Sequence, residues 1–214
     1  MIFMAATVVS VQVGQPKWLS WKGRSEPSAI AKSRVEGRVR ATAEGLAGDR
    51  QGDPIHHGGQ FQAVYAYSLE DYAWWQEAQG VEVEPPLFGE NLTISQLDLR
   101  SLRVGQRMRI GTATLAATVP RIPCWKLGAV MGDQGFVERF RGAGRPGAYF
   151  RVVEEGEIGA DDEIMLEPTV SAGPTLSDLF RIRTSELHRA SELLELPGLH
   201  PSWQTWAARV TAAP

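Results

Sequence analysis

Cysteine is almost absent from this sequence: a single residue, Cys124, among 214. An internal disulfide is therefore excluded, and stability does not depend on an oxidising compartment. Basic excess is missing as well. Lys and Arg total 22 against 25 Asp and Glu, giving a formal net charge of −3, which argues against a general nucleic-acid binder. No apolar run approaches the ~18 residues that suggest a membrane span, and the N-terminus lacks the basic region of a signal peptide. There are four histidines, in no recognisable zinc-ligand spacing, which argues against a structural zinc site. Repeats and low-complexity tracts are lacking. The expectation is a soluble, cytoplasmic protein with no nucleic-acid and no membrane partner.

What is present suffices for a real core: 43% hydrophobic and 22% charged residues, the composition of an ordinary globular protein. Residues 7–13 alternate as a half-buried strand, with Val9, Val11 and Val13 on one face. Residues 17–34 are polar and turn-rich, and read as a functional loop carrying Trp18 and Trp21. Alternation resumes over 35–42. Five glycines between Gly45 and Gly59, with adjacent His56 and His57, rule out regular structure there. Residues 61–67 read as a strand. Ser68 stands three residues before Asp71 and caps a helix to Gln79 that Gly80 stops; Leu69, Tyr72, Ala73 and Gln76 share one face of it. Strands follow at 107–110, 112–119, 148–153 and 164–166, with a short helix at 136–140. After Pro168, three helical patterns at 175–182, 184–196 and 202–210 sit behind Ser or Thr caps. Their order predicts a mainly β (α+β) body, barrel or sandwich, over 1–168, followed by a three-helix unit over 169–214.

The stretch 119–127, Val-Pro-Arg-Ile-Pro-Cys-Trp-Lys-Leu, attracts the most attention. Proline fixes φ and removes a donor, so neither a helix interior nor a central strand runs through Pro120 and Pro123. Cys124 is either a small buried hydrophobe or a thiolate held between Arg121 and Lys126, competent as nucleophile or soft metal ligand. As a nucleophile it would need a partner such as His56 or His57. Lys32, Arg50, Arg121, Arg141 and Arg145 are either solvated charges or, if their loops converge, an oxyanion site. The glycine-rich loop matches neither a P-loop nor a dinucleotide fingerprint.

Several segments in order resemble a MOSC domain, the C-terminal domain type of molybdenum-cofactor sulfurases, in its YiiM-type subgroup. They are Gly48-Asp49, His57-Gly58-Gly59, residues 63–67 (Ala-Val-Tyr-Ala-Tyr), 88–93 (Phe-Gly-Glu-Asn-Leu-Thr), 120–127 around Cys124, and 147–152 (Gly-Ala-Tyr-Phe-Arg-Val). The tail resembles the three-helix unit that follows the domain in that subgroup. The resemblance implies a β-barrel-like fold and a molybdenum cofactor, a pterin dithiolene holding the metal, with Cys124 as the metal ligand. It implies reduction of N-hydroxylated compounds (hydroxylaminopurines, amidoximes, hydroxamic acids) with electrons from a separate flavin or iron–sulfur reductase. The family also has a pyridoxal phosphate association. On the same resemblance, Lys32, Arg121 and Arg145 would pair with the cofactor's anionic groups. Asn91 and the backbone of Gly58 and Gly59 would hydrogen-bond the pterin, and His57 would contact the cofactor or relay a proton in catalysis. Alternatives are a sulfur or cofactor carrier with Cys124 as persulfide or ligand site, and a cysteine-nucleophile hydrolase. Two departures bear on affinity and substrate choice: Gln60-Phe61-Gln62 stands where the family usually has Pro-Asp and a cation, and Ser33-Arg34 follow Lys32.

Overall fold

Residues 5–52, 58–168 and 172–212 are described by the computed structural model. Strand β1 (Thr7–Val13) opens the chain. A hairpin of β2 (Lys17–Trp21) and β3 (Arg24–Ser28) follows, then β4 (Ser33–Val35), β5 (Arg38–Thr42) and β6 (Gly45–Leu46). A 3₁₀ turn at Gln60–Gln62 precedes β7 (Val64–Ser68), α1 (Leu69–Gln79) and β8 (Leu92–Ser95). Next come β9 (Arg107–Ile110), β10 (Ala113–Ala117), α2 (Trp125–Val130), α3 (Phe136–Ala143), β11 (Ala148–Glu154), β12 (Gly156–Gly159) and β13 (Ile164–Leu166). The tail holds α4 (Leu176–Thr184), a 3₁₀ helix at Leu187–Leu193 and α5 (Pro201–Thr211).

The main sheet has eight strands in the order β13-β9-β10-β11-β7-β8-β1-β4. Its pairs are antiparallel apart from β7 with β8, where α1 makes the crossover. The sheet curls back on itself. Val8 N–H donates to the Asp162 carbonyl at 2.9 Å, Asp161 N–H donates to Val8 at 2.8 Å, and Ile164 N–H donates to Ala6 at 2.7 Å. Strand β1 therefore closes against the segment leading into β13, and the result is barrel-like, as closure of an edge requires. A smaller sheet, β12-β5-β6, packs alongside.

Two apolar clusters fill the protein. The first runs through the barrel, including Val8, Val11, Leu115 and Phe150, and continues into Leu176, Leu179, Ile182, Leu193 and Trp203 of the tail. The second is aromatic: Tyr65, Tyr67, Tyr72, Trp75, Phe88, Phe136 and Phe140 pack between α1, α3 and the turn before β8. Phe88 sits at its centre, stacked on Tyr72 at 4.9 Å and meeting Tyr67 edge-on at 4.7 Å.

Several local expectations hold. Ser68 Oγ accepts the Asp71 N–H at 3.0 Å, and Gly80 ends α1 with φ +59°. Thr175 and Asp178 form a reciprocal capping box on α4. Others are corrected. The 17–28 stretch is a β-hairpin, because backbone pairing of Lys17 through Trp21 with Arg24 through Ser28 needs no apolar alternation. Strand β7 starts at Val64, after the 3₁₀ turn. The buried face of α1 is Asp71, Tyr72 and Trp75, while Leu69 is exposed. In β1, Val8, Ser10 and Gln12 are buried together with Val11, because a register shift between Val8 and Ser10 breaks simple alternation. The middle tail element is a 3₁₀ helix that buries Ala190 and Leu193 and leaves Leu187 and Leu194 exposed. The cap of α5 is His200, whose Nδ1 accepts the Ser202 N–H at 3.1 Å.

Candidate functional site

The segment carrying Cys124 leaves the barrel in a defined direction. Beyond β10, Thr118 N–H donates to the Tyr149 carbonyl and Tyr149 N–H donates to Val119, each at 2.9 Å. Pro120 and Pro123 then end the ladder, as their missing donors demand. Cys124 caps α2 in an extended conformation, φ −130° and ψ 179°. The thiol is partly exposed and borders an open cleft with a cavity volume of about 110 Å³.

The cleft is walled by residues 28–32 below the hairpin, 49–52, Gln62 and Tyr65, the 88–91 turn, 121–126, and Tyr149. Two glycines permit this closeness. A Cβ on Gly52 would lie 2.7 Å from the Ser28 Cα. On Gly89, at φ +74°, it would lie 2.9 Å from the Ile30 carbonyl. Tyr65 and Tyr149 are cross-strand partners, with ring centroids 4.8 Å apart. Burial pushes both phenols well above their ordinary pKa, so they stay neutral and offer ring faces.

Arg121 is buried against these rings. Its guanidinium carbon lies 5.2 Å from the Tyr65 centroid, and Nη1 donates to the Phe88 carbonyl. Burial opposes its charge, and its pKa is nonetheless held above the ordinary value through Tyr65, Tyr149 and Cys124 once those groups ionise. Among the described residues no carboxylate forms a salt bridge with it. The other buried cations differ. Lys32 Nζ meets Asp49 Oδ1 at 2.5 Å, both side chains being nearly inaccessible; burial still draws the Lys32 pKa down, against the pull of Asp49. Lys126 Nζ donates to the Pro27 carbonyl at 3.1 Å and meets Glu26 at 3.3 Å. It latches the hairpin to α2 across the cleft.

Of the residues singled out from sequence, Cys124, Lys32, Arg50, Asn91 and Arg121 come together at this cleft. Asn91 is fully engaged: its Oδ1 accepts the Tyr65 N–H at 3.1 Å, and its Nδ2 donates to Asp49 at 2.9 Å and to the Gln12 carbonyl at 3.3 Å. Gly59 N–H donates to Gln51 Oε1 at 2.8 Å; neither Gly58 nor Gly59 lines the cleft. Arg145 lies elsewhere, paired with Asp71 and 4.4 Å from the Trp74 ring centroid. His56 and His57 fall outside the described residues. Sequence reasoning missed Asp49 as the hub holding Lys32, Asn91 and the Gly14 N–H. It also missed Tyr65 and Tyr149 as walls. The pairing of two aromatic strands was the available signal for the tyrosines.

Among the described residues, no three His, Cys, Asp or Glu side chains gather closely enough to hold an ion. The described residues alone would not complete a metal's ligand set at Cys124. No described helix is long and apolar enough to cross a membrane.

Residues 53–165 match the model of the MOSC domain family. Protein YiiM of Escherichia coli is 31% identical over 83% of this chain and 82% of its own length. The uncharacterized protein YflK of Bacillus subtilis is 30% identical over 92% of this chain and 91% of its own. A protein of Gibberella moniliformis named reductase is 30% identical over 79% of this chain, which spans 31% of that protein's length. The crystal structure of YiiM from Geobacillus stearothermophilus superposes with a TM-score of 0.81 at 26% identity, covering 97% of this chain and all of that one. The match thus runs along nearly the whole length, and the chain belongs to the MOSC domain family, in company with the YiiM proteins.

Proposed function

We propose that this protein binds a molybdenum cofactor at the Cys124 cleft and uses it to reduce N-hydroxylated compounds with electrons from a separate flavin or iron–sulfur reductase. The observation that carries the reading is the pairing of Cys124 with Arg121 on one wall. A soft thiol stands beside a buried guanidinium that no carboxylate neutralises among the described residues, in a cleft whose two lysines are already paired. That donor set fits an anionic cofactor that brings the remaining metal ligands with it.

The bound cofactor would supply two-electron chemistry and oxygen-atom acceptance, which side chains do not provide. Cys124 Sγ would hold the metal. Arg121 would face the cofactor's negative charge with the donors that Phe88 leaves free. Tyr65 and Tyr149 would give a flat, neutral floor. Lys32 Nζ, whose proton burial loosens, is a proton source at the cleft wall for cleavage of an N–O bond. Lys32 and Arg145 are weaker candidates for clamping an anion than Arg121, because Asp49 and Asp71 already engage them. A pyridoxal phosphate role draws less support, since both cleft lysines are held by other groups. The reductase name of the Gibberella moniliformis relative accords with this reading.

The test is metal and pterin analysis of protein produced in a host that makes the cofactor, followed by reduction of benzamidoxime with reduced methyl viologen. Wild type should carry molybdenum and pterin near equimolar with chain and turn over, and Cys124→Ala should lose the metal. Wild type with neither metal nor pterin sinks the reading. Loaded protein that never turns over favours the carrier, and metal-free turnover of an ester favours the hydrolase.

A further inference from the structure

Among the described residues that line the cleft, Gln62 is the one with a buried side-chain atom lacking a hydrogen-bond partner. Its Oε1 is buried with no partner among the described residues, although the residue borders the cleft. The backbone beneath it is held firmly. Gln62 N–H donates to the Gly59 carbonyl at 3.0 Å, and Gln51 Nε2 donates to the Gln62 carbonyl at 3.1 Å. The neighbouring Phe61 carbonyl accepts the Thr118 hydroxyl at 2.6 Å, which ties the turn to the segment leading to Arg121 and Cys124. A buried acceptor left alone costs stability, and the turn that carries it is fixed at both its N–H and its carbonyl. This is the arrangement of an acceptor completed by a ligand.

We propose that Gln62 Oε1 is the ligand-reading acceptor of this cleft, receiving a neutral N–H or O–H donor of the bound molecule. The position therefore discriminates by hydrogen-bond direction and not by charge. Cationic recognition is already supplied by Arg121, and Gln62 adds none. Two sources present the required donor: the N–H edge of a pterin ring, and the N-hydroxyl group of an amidoxime or hydroxamic acid. The inference rests on the cleft being the cofactor and substrate site, as argued above.

The experiment compares full-length wild type with Gln62→Leu, Gln62→Glu and Gln62→Lys. Free 6-hydroxymethylpterin and benzamidoxime are titrated separately into each purified protein by calorimetry, and pterin content is measured on protein from the cofactor-competent host. Glutamate keeps an acceptor, whereas lysine supplies only donors. Leucine and lysine should weaken one probe by about fivefold or more, the loss of one buried hydrogen bond, while glutamate stays within about twofold of wild type on this same scale. A weakened pterin with reduced pterin content assigns Gln62 to the cofactor; a weakened benzamidoxime with pterin content unchanged assigns it to substrate. The melting temperature of Gln62→Leu should equal or exceed that of wild type, because an orphaned acceptor has been removed. Tighter binding in Gln62→Lys, unchanged binding of both probes in Gln62→Leu, or a lowered melting temperature there would overturn the proposal. So would a wild type that binds neither probe. A wild type that binds a probe but never carries molybdenum overturns the earlier reading alone.

Discussion

Glu90, in the turn between the aromatic cluster and β8, offers the sharpest test of how the site is built. It is completely buried. Its Oε1 accepts the Tyr72 hydroxyl at 2.8 Å, and Tyr72 in turn accepts the Phe88 N–H at 3.1 Å. On its other side Glu90 Oε1 lies 3.1 Å from Thr93 Oγ1. Gln12 decides who owns the proton between them. Its amide is satisfied on both ends when Nε2 donates to the carbonyls of Asn91, 2.9 Å, and Ser10, 3.3 Å, and Oε1 accepts from the hydroxyls of Ser10, 2.5 Å, and Thr93, 3.0 Å. Thr93 has a single hydrogen, and it goes to Gln12. The hydrogen toward Glu90 must come from the carboxyl. Glu90 is therefore a neutral acid, and burial pushing its pKa up agrees, outweighing its backbone bond, Tyr72, Thr93 and Arg121.

The folded pKa thus lies above the unfolded value of about 4.3. The contribution of Glu90 to stability is complete below that unfolded value and is lost as pH rises through the folded one. Between the two, wild type loses about 1.4 kcal/mol per pH unit through this group. Glu90→Gln removes the titration and nothing else that ionises. Urea unfolding of both proteins at half-unit steps from pH 4 to 8 gives the difference in unfolding free energy, from which distant titrations cancel. That difference should move in favour of the variant by about 1.4 kcal/mol for each pH unit above the unfolded pKa, and level off once wild-type Glu90 ionises. A difference independent of pH would mean that Glu90 is a carboxylate in the fold, and the proton assignment would be wrong. The site carries a consequence: a neutral Glu90 leaves Arg121 uncompensated, so the variant should retain cofactor as wild type does.

Two further substitutions separate paired from unpaired cations. Asp49→Ala strands the buried Lys32 ammonium and frees Asn91 and the Gly14 N–H, so it should cost about 3–5 kcal/mol in urea unfolding; Asp49→Asn, which keeps the amide contacts, should cost less. Arg121→Met removes a buried charge together with one bond to the Phe88 carbonyl, two effects of opposite sign, so unfolding free energy should shift by no more than about 2 kcal/mol either way. Its pterin content should nevertheless fall sharply, and retention at the wild-type level would refute its role.

The elements visible from sequence are those whose local chemistry and packing agree. Ser68, Asp71 and Gly80 bound α1 through backbone groups that any neighbouring structure leaves intact. Strand β9 alternates because one face meets the barrel interior, whereas β10 is buried on both faces. The hairpin was not legible, since its cohesion comes from backbone pairing and from Lys126 and Trp125, residues about a hundred positions away. The buried face of α1 was misread for the same reason: Trp75 and Tyr72 face inward because Phe88, Phe136 and Phe140 are waiting there, not because of helical spacing. Within the site, Cys124 and Arg121 could be chosen from type and rigidity. Arg145 could not be separated from them, because its partner Asp71 has the ordinary role of a helix-start acid until the fold brings the two together.

Charge pairing sets Arg121 apart from Lys32, Lys126 and Arg145, while Arg50, also at the cleft, is exposed. A cation that already faces a carboxylate contributes little field to a ligand, however close it lies. Asp49 removes Lys32 from the balance, Glu26 removes Lys126, and Asp71 removes Arg145. Glu90 is the remaining acid near Arg121, and burial pushes its pKa up against the pull of its hydrogen bonds. The arrangement leaves a guanidinium at the thiol with neutral rings and a carbonyl for company. Such a charge is costly to keep buried in an empty cleft, and an anionic ligand is what relieves it. On the reading proposed above, Arg121 would attract the ligand by charge, and Gln62 would fix its orientation through a single directional bond.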